Sequence, residues 1–202
     1  MAVITISRQF GAGGLSLGRK VADMLGYSFF DEEIIQLVAQ KAQVSSDWVR
    51  SIEKEAGGKL DKFISNLIPR SVVDRILDDQ RGYIDEEIYV DLLDQVISKV
   101  AEADNSIILG RGGQYILKGH PGVFHVLLVA DIDHRIGFVE TKYQLTRSQA
   151  TQTVNSEDKK RINLYRKFNK TDYDRPDHYH LTLNMSKISL EKAAELVKAL
   201  IA

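Results

Sequence analysis

The stretch Ala2–Gly26, AVITISRQFGAGGLSLGRKVADMLG, decides how this chain is read. It reads as a buried strand over Ala2–Ile6, a glycine-rich turn at Gly11, Gly13 and Gly14, and then an amphipathic helix. Leu17, Val21, Met24 and Leu25 fall on one face of that helix, at the spacing a period of about 3.6 residues requires. A strand, a glycine turn and a helix N-terminus together form an anion site, because backbone N–H groups point inward and the helix dipole favours negative charge. The expected occupant is a phosphate chain. One position is out of pattern. The phosphate-loop signature G-x-x-x-x-G-K-[ST] puts a lysine directly after the last loop glycine; here Gly14 stands there, followed by Leu15 and a hydroxyl at Ser16.

Outward from this unit, strand and helix signals alternate as they do in a parallel sheet. Tyr27–Phe30 is a short apolar run ending at Asp31, followed by a helical pattern with Ile34, Leu37 and Val38. From about residue 41 to 85 the texture is more polar and less regular. A long helix then carries Ile88, Leu92, Val96 and Val100 at steps of four. Ser106–Leu109 reads as a strand running into Gly110-Arg111-Gly112-Gly113. Val123–Ala130 is almost continuously apolar and so central. Residues 146–177 are the most polar and basic part of the chain, His180–Met185 is a last strand, and Leu190–Ile201 a closing helix. This is a doubly wound α/β pattern, whose ligands sit beyond the carboxyl ends of the strands. Three polar junctions fall at that edge: Ser7–Ser16, Asp31 and Gly110–Gly113.

Composition narrows the function. With 202 residues the chain can bury one sizeable core. A formal net charge of −1 gives no footprint for a nucleic-acid polymer. The absence of cysteine excludes disulfides, thiolate catalysis and cysteine-based zinc sites. No apolar run approaches the ~18 residues of a membrane span, and Met1 leads straight into a strand, so the expected location is cytoplasmic.

The motifs ITISRQFGAGG, LGYSFFD and IILGRGG, with the ending Tyr179–Asn184 before the last helix, resemble the cytidylate kinase-like group of nucleoside monophosphate kinases. The resemblance covers essentially the whole chain. It implies a three-layer α/β sandwich with a five-stranded parallel sheet, in one domain, with an acceptor-binding helical excursion at 41–85 and a lid at 146–177. It implies ATP and Mg²⁺ as cofactors and phosphoryl transfer to a small phosphorylated acceptor such as CMP or dCMP. Gly11, Ala12, Gly13, Gly14, Leu15 and Ser16 would wrap the ATP phosphates, with Ser16 in place of the metal-binding threonine. Asp31, Gly110 and Arg111 would hold the acceptor, and Arg161 and Arg166 would be the lid arginines. Two departures stand out: the lysine is replaced by Gly14, and the family's G-R-D becomes Gly110-Arg111-Gly112. Arg8 is the nearest substitute for the lost cation, being on the same loop with a guanidinium that can grip two phosphate oxygens; Arg19, one turn past Ser16, is the lesser candidate.

Plainer readings compete. The glycines could simply serve a tight turn, Asp31 could cap a following helix, and the basic run from Lys159 to Lys170 could be a solvated helix face. His178-x-His180 would alternate on a strand without a ligand partner at zinc spacing. Trp48, Tyr83 and Tyr89 read as core or interface anchors rather than base-stacking platforms. The missing lysine and carboxylate also leave open a module that binds a nucleotide without transferring anything, or a kinase for another metabolite.

Overall fold

The computed structural model describes residues 2–31 and 86–201. The 41–85 excursion, Trp48 and Tyr83 lie outside them. Five parallel strands, β1 (Val3–Arg8), β2 (Ser28–Phe30), β3 (Ser106–Leu109), β4 (Val123–Val129) and β5 (Leu181–Asn184), form one sheet in the order β2-β3-β1-β4-β5. β1 is central, with Val3 opposite Ser106 of β3 and Val123 of β4. It runs two residues further than its apolar run suggests, because Ser7 and Arg8 pair with Leu127 and Leu128 of β4. Arg8 is therefore the last residue of a rigid strand and not a loop residue.

Among the described residues the helices are α1 (Gly14–Leu25), α2 (Glu86–Glu102), α3 (Gly113–Ile116), α4 (Ile132–Tyr143), α5 (Arg147–Lys167) and α6 (Leu190–Ala199). On one side of the sheet Ile4, Ile6, Val126 and Leu128 pack with Leu17 and Val21 of α1 and with Ala193, Ala194 and Val197 of α6. Each of the Ile, Val and Leu side chains among them contributes about 1.5–3 kcal/mol by leaving water. α5 starts with a capping box, the Thr146 side chain accepting from Gln149 N–H and Gln149 accepting from Thr146 N–H. It carries Ala150 and Val154 against Ile136 and Val139 of α4. The 146–177 segment is thus a regular helix followed by a turn-rich return, and Tyr165 near its end is 1% exposed. His178 does not sit on a strand: Pro176 starts a 3-10 turn that His178 closes, and β5 begins after His180.

Candidate active site

The turn after β1 has the backbone of an anion cradle. Gly11 and Gly13 take left-handed φ values of 84° and 81°, which only glycine adopts without strain. Gly13 caps α1 with no side-chain hydrogen bond, and the first turn of α1 carries no acidic residue, so its N-terminal dipole is not already neutralised. A cavity beside it is lined by Arg8, Gly11, Gly13, Gly14 and Leu15 of the loop region together with Arg19 and Asp31. Ala12 is buried at 1% exposure beneath the turn. Ser16 is partly buried in the first turn of α1 and does not line the cavity wall.

Gly14 is different in kind from its neighbours. Its backbone is ordinary helix, so nothing in its dihedrals demands glycine. A Cβ there would lie 2.9 Å from Arg8 Cγ and 3.2 Å from Arg8 Cδ. The stem of Arg8 fills the space from which the expected lysine would have grown. The second departure has the same form. A Cβ at Gly112 would lie 2.7 Å from Phe168 Cε2, because the ring at the end of α5 packs over that turn. At both places another side chain occupies the space, Arg8 from the preceding strand and Phe168 from the far end of α5.

Gly110, Arg111 and Gly112 are three successive left-handed residues, with φ of 80°, 53° and 76°. For Arg111 this costs about 1–2 kcal/mol, and such strain persists where the surroundings fix it, often at ligand sites. Arg111 lines a second cavity with Arg8, Phe10, Arg161 and Tyr165. Arg161 is held from two sides: its guanidinium pairs with the Asp174 carboxylate, Nη1 donating at 2.9 Å, and Nε donates to the Tyr165 hydroxyl at 3.2 Å. Burial opposes its charge, but the Asp174 carboxylate outweighs that and holds Arg161 protonated far above neutrality. Arg166 is exposed and lines neither cavity.

The two cavities meet at Arg8 and Phe10, which line both. Asp31 and Arg111, expected on one acceptor edge, lie on opposite sides of that boundary. Sequence reading missed several participants. Phe138, Lys142 and Tyr143 of α4 line the loop-side cavity. Arg135 of α4, 7% exposed, donates from Nη1 to the Phe10 carbonyl at 3.2 Å and to Asp158 of α5 at 2.7 Å. The other Asp158 oxygen accepts from Phe10 N–H at 3.2 Å. One carboxylate thus ties the phosphate loop to α5, three residues before Arg161. A helical i, i+4 pattern could have suggested Phe138 and Lys142; no local signal points to Arg135 and Asp158.

A cytidylate kinase-like family model matches residues 3–187. The chain belongs to the cytidylate kinase-like family. A uronate isomerase of Corynebacterium glutamicum is 26% identical over 107 residues, which is 53% of this chain and 20% of that protein. The chain therefore spans about a fifth of the length of that curated relative. Among solved structures, an uncharacterized protein from Eubacterium ventriosum superposes with a TM-score of 0.68 at 17% identity, covering 100% of this chain and 98% of its own. A shikimate kinase from Bacteroides thetaiotaomicron gives 0.51 at 13% identity, over 99% and 98% of the two chains. A sugar kinase from Janibacter sp. gives 0.50 at 16% identity, over 100% and 94%. At these identities the likeness is one of fold. It agrees with the five-stranded parallel α/β architecture expected of the family.

Proposed function

We propose that this family member is an ATP-dependent kinase that transfers a phosphoryl group to a small phosphorylated acceptor, with CMP or dCMP as the first candidates. The observation that carries this is the position of Arg8 on the boundary of two cavities, one beside a glycine anion cradle and one holding Arg111 and Arg161. Two anion sites sharing a cation are what in-line transfer between two phosphates needs. In this reading Gly11–Ser16 hold the ATP phosphates through backbone N–H groups. Gly110 lets the backbone approach the acceptor, and Arg111 grips the acceptor phosphate. An acceptor that also reaches Asp31 spans the Arg8–Phe10 boundary.

Arg8 supplies the charge that the missing lysine would have brought, and Arg161 adds a second cation at the transferring group. Phosphoryl transfer asks little covalent chemistry of the protein, so alignment and charge neutralisation carry it. A phosphate-monoester acceptor is largely ionised near neutrality and needs no general base. Among the described residues no three His, Asp or Glu side chains could hold a metal ion. The Ser16 hydroxyl in the first turn of α1 would be the protein ligand of Mg²⁺, with nucleotide oxygens and water completing its shell. When bound, Mg²⁺ would neutralise charge on the β- and γ-oxygens. Arg166 would have to come inward from its exposed position to act as a lid arginine.

The test is transfer from Mg·ATP to CMP, dCMP, UMP, AMP and GMP, with products separated by chromatography beside an Arg111→Ala control. Formation of CDP or dCDP that the control loses is the expected result. ATP binding without any diphosphate product would instead assign the chain to nucleotide sensing.

A further inference from the structure

The cavity beside the anion cradle encloses about 390 Å³ and is lined by the glycine loop together with Phe138, Lys142 and Tyr143 of α4. Among the described residues three cations line it, Arg8, Arg19 and Lys142, against the single carboxylate of Asp31. A bound triphosphate would meet all three. They differ in what each can do once the phosphoryl group begins to move.

Arg8 is a fixed charge. It ends β1 in register with Leu128 of β4, and the next residue, Gln9, donates its N–H to the Leu128 carbonyl at 3.0 Å. Its stem lies across the start of α1, where a Cβ at Gly14 would meet Arg8 Cγ at 2.9 Å and Cδ at 3.2 Å. A guanidinium anchored in this way grips one set of oxygens well. It does not travel with a group that leaves one oxygen and joins another, as the compact ammonium on a lysine's flexible stem does. Arg8 therefore replaces the charge of the missing lysine and leaves its mobility unreplaced.

Lys142 is exposed in the last turn of α4. The two carboxylates of α4, Asp133 and Glu140, are both engaged by Arg147, at 2.5 Å and 3.4 Å. Among the described residues Lys142 has no carboxylate partner; its Nζ lies over the rings of Phe138 and Tyr143, 5.4 Å and 5.9 Å from their centroids. Ring faces hold an exposed ammonium only weakly. They park it at the cavity wall, from which a phosphate, the stronger partner, can draw it. Lys160, the lysine that lines the other cavity, is by contrast tied to Glu157 at 2.6 Å.

We propose that Lys142 is a catalytic residue of the transfer: its ammonium leaves the Phe138 and Tyr143 rings for the terminal phosphate of the bound triphosphate and follows it to the acceptor. The bond from the γ-phosphorus to the bridging oxygen breaks, one to an acceptor phosphate oxygen forms, and Lys142 keeps its protons throughout. The role of the lost lysine is thereby divided, with the fixed grip at Arg8 and the mobile charge at Lys142. The proposal rests on the kinase reading above.

The test is calorimetry on the full chain with Mg²⁺, comparing the β,γ-imido analogue of ATP with ADP, beside steady-state turnover. Lys142→Met keeps an apolar stem against the two rings and removes the charge. It should weaken the triphosphate analogue about tenfold or more and ADP by less than about twofold. It should also lower kcat about tenfold or more with Tm little changed, and Lys142→Arg should recover part of both losses. Equal weakening of the two nucleotides, or a lower Tm with an unaltered preference for the triphosphate, would reduce Lys142 to a charge at the C-terminal end of a helix. A preference lost in Arg19→Met and kept in Lys142→Met would also overturn the proposal, in favour of Arg19. Each of these results leaves the kinase reading standing, whereas a wild-type chain that binds neither nucleotide overturns both.

Discussion

If Arg8 stands in for the lysine that Gly14 lacks, the two positions must be coupled with a definite sign. A side chain at position 14 would bring its Cβ to 2.9 Å from Arg8 Cγ and 3.2 Å from Leu109 Cδ1. The Leu109 contact is tolerable, whereas the Arg8 stem must move away. Gly14→Lys in the wild-type background therefore sets two cationic stems against each other, and overpacking of this kind costs about 1–3 kcal/mol. Arg8→Ala removes the stem and its charge together. Loss of one group aimed at a developing charge costs about 10²–10³ in rate, or ~3–4 kcal/mol. Adding Gly14→Lys to Arg8→Ala restores a cation from the family's usual position, into space that is now open. The account predicts that Gly14→Lys lowers kcat/KM in the presence of Arg8 and raises it about tenfold or more in its absence. The coupling energy is then at least ~1.4 kcal/mol. The assay is steady-state phosphoryl transfer for all four proteins, with Tm measured for each to show that Arg8→Ala is folded. The reasoning fails if Arg8→Ala keeps wild-type turnover, or if Gly14→Lys has the same effect in both backgrounds.

Three further predictions concern the surroundings of the site. Asp158→Ala leaves the Arg135 charge without its partner at 9% side-chain exposure. It should cost about 3 kcal/mol of stability and speed amide exchange at Phe10, while the double variant Asp158→Ala/Arg135→Met should regain part of that stability; unchanged exchange at Phe10 would deny the tie between loop and α5. Asp174→Asn suits the left-handed backbone at φ 66° but loses the ionic half of the grip on Arg161, so kcat should fall about tenfold with ATP KM little changed; an unaltered kcat would show that Arg161 needs no orienting carboxylate. Burial, and then the nearby His180, push the folded His125 imidazole down to about 4, against about 6.5 unfolded. Between those values the unfolded chain binds more protons, so stability is full above about pH 6.5 and falls by on the order of 3 kcal/mol toward pH 4. His125→Gln should flatten that part of the Tm–pH curve, and an identical curve in the variant would remove His125 as the cause.

The parts of the molecule legible in the sequence are those decided locally. Continuous apolar runs marked β3 and β4 to within a residue, and the periodic apolar residues after the glycine turn marked α1. What stayed hidden depends on contacts between distant segments. Gly112 looks like a loss when read along the chain, and only packing shows that Phe168 fills its place, whereas Arg8 was already the expected substitute at Gly14. Arg135 and Asp158 sit in helices as ordinary charged residues and become a tie only where both meet Phe10. The basic run of α5 was ambiguous for the same reason: one sequence pattern sends Arg161 into a cavity and leaves Arg166 exposed.

The most direct test of the central claim is a crystal structure of the chain with Mg²⁺ and a β,γ-imido analogue of ATP. The account predicts the triphosphate wrapped by Gly11–Ser16, with the Arg8 guanidinium within hydrogen-bonding distance of β- or γ-phosphate oxygens. A triphosphate bound in that loop with Arg8 turned away, or a nucleotide bound somewhere else, would contradict it.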